Sequence, residues 1–536
     1  MNKERKILKF ALMFFVSMAG LTSCDIESLN KNGAQINLDV NLEEKIDLNV
    51  MYPNSGMQNS EFASGRTTKY FEELTGYKVT YEQCLSNQTS IVQNILASEL
   101  DYHMIKMESS TYFALVSGEA FVDLKPALEK YGQNLLKTIP QQAWDAVTVD
   151  GKIYAIPEVG FGQMRSSALV WNRRQLQEVG ISKIPETMEE VDTAFHALQE
   201  HFGKDNSSYH AFAMQSASSY IEPIAAAFNL NKDFYEDENG NVKHVMYLDN
   251  YHQYMTYLND LVVDKVISME WEGYTGANIV SLFAQGNIGC GYMPYWNINT
   301  LVSSLAANPE FDSEDEARAS LGWSLDVRGD GTNGSAVQSK PKTLYYQSIG
   351  YYISIPSHMA EYGAYVIDWC DKRITESAFE GYRLGDEGVH FNYVDANEEG
   401  AIEVTIANEK KHIKLTPKYN IDILPTSMYQ TGVNPKVAKE LWILSEQSYN
   451  CWKVLVDTDF DNIVGNAMSM TPYIKGWSEI DEAARAKVIT YEQKFINASS
   501  KEKFESYLSS LKNVWENNFW TEEVDASVQN WYKNKR

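Results

Sequence analysis

Between residues 46 and 107 the hydrophobic pattern switches repeatedly from strand-like alternation to helical spacing, and that switching confines the chain to an α/β fold with parallel strands. Ile46 to Tyr52 alternates as a strand does and runs into the loop Pro53-Asn54-Ser55-Gly56. A helix carrying Tyr70, Phe71 and Leu74 follows, stopped at Gly76, and then a second strand from Tyr77 to Tyr81. The pattern continues to Met104-Ile105-Lys106-Met107. Ligands of such sheets sit beyond the carboxyl ends of the strands, where Tyr52 and Asn54, and then Glu108 and Ser109, fall.

With 536 residues the chain exceeds what one hydrophobic core organises, so two lobes are expected. Its formal charge of −26 repels nucleic acid and anionic membrane surfaces, which excludes both as partners. Cys84, Cys290, Cys370 and Cys451 are far apart and form no CxxC pair, which opposes a metal cluster or a disulfide scaffold and leaves buried thiols as the reading. At the N-terminus a basic head (Lys3, Arg5, Lys6, Lys9) precedes an apolar run from Phe10 to Leu21 and then Thr22-Ser23-Cys24. That run falls well short of the ~20 residues of a spanning helix. It resembles a bacterial lipoprotein signal over residues 1–23, with Cys24 acylated as the mature terminus and 24–45 a polar tether. The expected location is outside the cytoplasm, anchored to the cell membrane by lipid.

The most specific stretch contains Trp144, Val149-Asp150-Gly151-Lys152-Ile153-Tyr154-Ala155-Ile156-Pro157 and Ala168-Leu169-Val170-Trp171-Asn172. Asp150-Gly151 is a hairpin turn, and Pro157 closes the strand that follows. Further landmarks are Gly180-Ile181 through Pro185-Glu186-Thr187-Met188-Glu189-Glu190, with Thr187 and Glu190 spaced as a capping box. Phe283-Ala284-Gln285-Gly286 leads to Gly291-Tyr292-Met293-Pro294-Tyr295-Trp296, and later come Tyr351-Tyr352-Ile353-Ser354-Ile355-Pro356 and Gly385-Asp386-Glu387-Gly388-Val389-His390. In this order the segments resemble the family 1 extracellular solute-binding proteins, receptors of ABC importers, and within them a long-chain subgroup described as LipO-like.

The resemblance implies a two-lobe, periplasmic-binding-protein-like (type II) α/β fold with hinge crossings near residues 158–166, 350 and 425. The N-terminal lobe would combine 46–158 with 352–424, and the C-terminal lobe 166–350 with 430–536. It further implies a monomeric receptor without cofactor that captures a small-molecule solute, expected to be an oligosaccharide, and presents it to ABC permease transmembrane subunits. The competing expectation is an exported carbohydrate-active hydrolase, which needs two carboxylates about 5 to 10 Å apart at one glycosidic oxygen. No GxSxG, HExxH or Walker pattern occurs.

Sugars offer flat C–H faces and rings of hydroxyls, so aromatic platforms and bidentate polar side chains are sought. The aromatic candidates are Tyr52, Trp144, Trp171, Tyr295 and Trp296, the last matching the family position that stacks on sugar. Trp369 and Trp442 lie on apolar helical faces and read as core. The polar candidates are Asn54, Glu108, Ser109, Glu158, Arg165, Gln215, Asn297 and Glu387. Glu158 and Arg165 bracket the first crossing, as ligand groups or as a mutual salt bridge. His390 is expected to hold a loop rather than to catalyse. Asp237, Asn239 and Asn241 alternate like the oxygens of a calcium loop, yet Val245 and Met246 stand where closing carboxylates belong, and Asn239-Gly240 alone makes a hairpin. No metal is expected there.

Overall fold

The computed structural model describes residues 34–53, 65–84, 88–116, 118, 120–159, 167–215, 220–294, 297–345, 349–407, 409–419 and 463–535. Nine strands build the two main sheets. In chain order they are β1 (Leu48–Pro53), β2 (Val79–Cys84), β3 (Met104–Met107), β4 (Ile156–Val159), β5 (Ser167–Asn172), β6 (Phe212–Ala213), β7 (Cys290–Pro294), β8 (Leu321–Ser324) and β9 (Ile349–Ser354). The first sheet has the order β2-β1-β3-β9-β4, and the second β8-β5-β7-β6.

In the first sheet β1 runs parallel to β2 and β3, as the alternating pattern requires, while β9 lies antiparallel between β3 and β4. The helix Arg66–Thr75 between β1 and β2 ends on Gly76, whose φ of 77° is the left-handed conformation that glycine adopts at no steric cost. Its Phe71 enters the core, and Leu74 stays exposed. The Asp150-Gly151 turn forms as read, with φ of 50° and 78° between the paired segments Thr148–Val149 and Lys152–Ile153. The capping box at Thr187 is complete, Thr187 Oγ1 accepting from the Glu190 amide and the Glu190 carboxylate from the Thr187 amide.

Strand β5 shows how the second sheet is buried on both faces. Leu169 and Trp171 enter one core with Phe195, Tyr254, Trp271 and Trp515, whereas Ala168 and Val170 enter another with Ile279, Phe283 and Leu301. Three C-terminal helices, Asp481–Ile496, Lys501–Asn518 and Glu522–Lys535, follow. Ala484, Val488, Phe495, Phe504, Leu511, Trp515, Val524 and Val528 carry them into the first of these two cores. They also seal the hairpin formed by Phe234–Glu236 and Val242–His244, because the Gln529 side-chain amide both accepts from and donates to the backbone of Val242.

The core of the first sheet gathers residues from 36 to 159 and from 349 to 419, among them Val50, Ile105, Leu124, Ile353 and Trp369. Two findings differ from the expected division. Residues 34–45, read as part of a tether, lie against this core: Ile36 is buried beside Gly363, Lys130 and Tyr131 both donate to the Leu38 carbonyl, and Lys45 pairs with Asp368 at 3.0 Å. Polar composition concealed one well-spaced apolar contact. The segment around 470 also touches both cores, with Met468 and Ile474 in the second and Met470 in the first. No helix among the described residues is long and apolar enough to cross a membrane.

Burial makes His244 a pH-dependent element of the aromatic core. It is 4% exposed, accepts the Met246 amide on Nδ1, and packs against Phe234 and Trp515. Desolvation pulls its imidazole from 6.5 down to about 4. A depressed histidine contributes stability that is complete above the unfolded value of 6.5 and is lost as pH falls from there toward 4. Denaturant unfolding should therefore lose up to ~3 kcal/mol more in wild type than in His244→Phe across that window, and equal pH slopes would refute the assignment.

Candidate ligand site between two sheet edges

The carboxyl ends of β1, β2, β3 and β4 share one edge of the first sheet, and β9 begins there. Glu108 follows β3 directly, its amide donating to Gln88 Oε1 at 2.8 Å while its carboxylate is exposed. Ser109, also exposed, opens the helix Ser109–Val116. Across β9, Tyr351 stands opposite Glu158 in register. It is half-buried, with the Lys106 ammonium 4.7 Å from its ring centroid. Burial raises its phenol pKa, and the nearby carboxylates of Glu158 and Glu108 raise it further. Sequence reasoning missed Tyr351. Its run was legible as a strand, but not that the strand starts at this edge.

Beneath Tyr351, Lys106 of β3 and Glu158 of β4 form an ion pair across β9, with side chains 0% and 8% exposed. Burial pulls the ammonium down and the carboxyl up, and mutual attraction opposes both shifts. Glu158 is thus corrected from a ligand contact to a structural anion, and its partner is Lys106. Tyr52 is corrected as well: it is fully buried between Tyr81 and Lys106, and burial pushes its hydroxyl up to about 12.

Two tryptophan platforms also prove to be core. Trp171 stacks on Phe195 at 5.2 Å and donates to Ser324 at 2.8 Å, and Trp144 is 3% exposed within the first core. Trp171 lies on a strand buried on both faces, and Trp144 on the buried side of the helix Gln141–Ala146, so neither ring can meet a sugar. Glu387 is exposed in a turn fastened by Arg66, which pairs with Asp386 at 2.7 Å, and by His390, whose Nδ1 accepts the Asp386 amide. His390 is 1% exposed and holds that loop.

On the second sheet, Pro294 at the end of β7 pairs with Ser167 at the start of β5, and β6, parallel to β7, ends beside Gly291. Gln215 follows β6, and Asn297 precedes the helix Ile298–Ala306. Both converge on Gly276, where a methyl group would meet Asn297 Nδ2 at 2.4 Å and Gln215 Nε2 at 3.4 Å. Neither side-chain amide has a hydrogen-bond partner among the described residues. The chain joins the two edges directly: seven residues separate Val159 from Ser167, a reach of at most ~29 Å.

Asn54, Arg165, Tyr295, Trp296, Cys24, Trp442 and Cys451 lie outside the described residues. Cys84, Cys290 and Cys370 are buried. In the Asp237 turn one carboxylate oxygen accepts from Asn239 and Asn241, and Lys243 sits on the other at 3.0 Å. An ammonium already neutralises this carboxylate, so the loop does not fit a calcium ion.

Removing one member of a buried pair strands the other charge. Glu158→Gln should lower stability by about 3 to 5 kcal/mol, whereas the double variant Lys106→Met with Glu158→Leu should lose much less. Chemical denaturation of both tests this; equal losses would show that the pair is not the source.

The family model of bacterial extracellular solute-binding proteins matches residues 67–315. An uncharacterized protein in the butB 5′ region of Niallia circulans is 20% identical over 190 residues, 35% of this chain, and the chain spans 63% of that relative. Among solved structures, a human-milk-oligosaccharide (HMO) binding solute-binding protein associated with an ABC transporter of Bifidobacterium longum infantis matches with a TM-score of 0.61 at 14% identity, over 91% of this chain and 99% of that one. FusA, an ABC-transporter substrate-binding protein of Streptococcus pneumoniae in complex with kestose, matches at 0.62 and 14%, over 91% and 99%. The alginate-binding protein AlgQ2 matches at 0.61 and 15%, over 91% and 98%. The chain thus has the two-lobe fold of these solute-binding proteins and carries, over residues 67–315, the sequence pattern of the bacterial extracellular solute-binding family.

Proposed function

We propose that this protein is the solute-binding receptor of an ABC importer, taking an oligosaccharide between its two lobes. The carrying observation is the pair of polar sheet edges joined by a seven-residue crossing, Glu108, Ser109 and Tyr351 on one and Gln215 and Asn297 on the other. Hydroxyl-rich ligands need such acceptors and carboxamides. The structural neighbours, whose names carry human milk oligosaccharide, kestose and alginate, support the reading.

In this proposal the lobes comprise 46–158 with 352–424 and 166–350 with 430–536, and the hinges lie near 158–166, 350 and 425. Trp296 stacks on the sugar, with Tyr295, Asn54 and Arg165 beside it. Cys24 carries lipid that holds the receptor, as a monomer, on the outer side of the cell membrane. Ligand contacts with both lobes outweigh an open-state preference of a few kcal/mol, and the closed form docks on the permease. A hydrolase would need two free carboxylates at one oxygen, but Glu158 is neutralised by Lys106. In this reading the receptor releases its ligand unaltered.

Intrinsic fluorescence titration against a glycan panel tests this. A saturable change is expected for at least one oligosaccharide, and Trp296→Ala should abolish it while the thermal midpoint holds. Unchanged affinity in that variant would move the site elsewhere. Gly276→Ala places a methyl group against the two amides at a helix start, where alanine is well tolerated. It should weaken binding about tenfold with little change in stability, as read by calorimetry.

A further inference from the structure

We infer that residues 466–477 form an interlobe clasp that positions the first-sheet edge of the ligand site; this rests on the receptor reading above. Both ends of the segment are fastened to the second body. Upstream, the Asn466 side-chain amide donates to the Lys232 carbonyl at 2.8 Å, and the Ala467 amide to that of Phe234 at 3.2 Å. Downstream, Trp477 packs among Phe234, Trp515 and Trp520, with ring centroids 5.2 to 6.0 Å apart. Met468 and Ile474 are buried in the same core. Between these fastenings the chain reaches across: Met470, 6% exposed, is buried in the core of the first sheet, and Tyr473 packs against that core. Met470 has a φ of 50°, a left-handed conformation that side chains disfavour. Strain of that kind persists where the surroundings hold it, and here part of the surroundings is the other lobe.

The seat of the clasp belongs to the scaffold of the ligand site. The Tyr473 ring lies 6.4 Å from that of Phe113, and Phe113 meets Tyr352 edge-on at 5.5 Å. Phe113 is part of the helix Ser109–Val116, which opens directly after Glu108, and Tyr352 follows Tyr351 in β9. The Tyr473 hydroxyl donates to the Glu479 carboxylate, so its ring is oriented from the second body. An aromatic ladder thus runs from the second lobe to the two elements that bring Ser109 and Tyr351 to the edge. Met470 and Tyr473 act through that ladder, as positioning residues rather than as ligand contacts. Once released, the first lobe samples orientations in which its edge does not face Gln215 and Asn297, and apparent affinity falls with the fraction that stays competent. Because this loss precedes any contact with ligand, it is the same for every glycan.

The mature chain is compared with two variants, Phe113→Ala on one side of the contact and Met470→Gly with Tyr473→Ala on the other, by scanning calorimetry and by titration with the glycan panel. Wild type should unfold in one transition and each variant in two, one for each lobe. Each variant should bind every glycan that wild type binds about tenfold more weakly, with the order of preference unchanged. A single transition with wild-type affinity in both variants, or two transitions already in wild type, would overturn the clasp. A changed order of preference would overturn it too, since Tyr473 would then be a ligand contact. If no glycan binds wild type, the receptor reading falls, and the calorimetric comparison still decides whether the segment couples the lobes.

Discussion

The buried Lys106–Glu158 pair is the contact on which the arrangement of the first sheet turns. Its two residues belong to β3 and β4, and β9, the strand that returns from the second body, lies between them. An ammonium and a carboxylate placed in a low-dielectric core must find each other, because either one alone costs several kcal/mol. The pair therefore holds the outgoing strand and the returning strand in one register, at the edge where the chain crosses between sheets.

That geometry explains the division of labour among the polar residues. Glu158 lies one strand from Glu108, yet one is buried and neutralised while the other is exposed. The difference comes from position along the strand: Glu158 lies inside β4, whose residues are all buried, and Glu108 stands just past the end of β3. On the second sheet, Gly276 does comparable service by leaving room. Its missing side chain lets Gln215 and Asn297, 82 residues apart in sequence, approach the same point.

Much of the fold was legible from local pattern. The α/β alternation, the Gly76 stop, the Asp150-Gly151 turn and the Thr187 capping box are each decided within a few residues, and each formed as read. The binding residues were less legible. Trp144 and Trp171 look in sequence like platforms, but an indole serves equally well as core, and only the layers packed on each side decide which it becomes. Glu158 failed for a related reason, since its partner lies 52 residues away on a strand that is adjacent only through β9.

By itself, then, the sequence determined the strand–helix order, the turns, the acidic surface and the absence of metal-ligand spacing, because these depend on neighbours along the chain or on totals over it. Tertiary structure alone decided which polar groups remain available. It buried Tyr52 and Glu158, left Glu108 exposed, brought Tyr351 to the edge and set Gln215 beside Asn297. The physical reason is that exposure and charge pairing are properties of packed surfaces, fixed only when distant segments meet and exclude water from one side chain while leaving its neighbour wet.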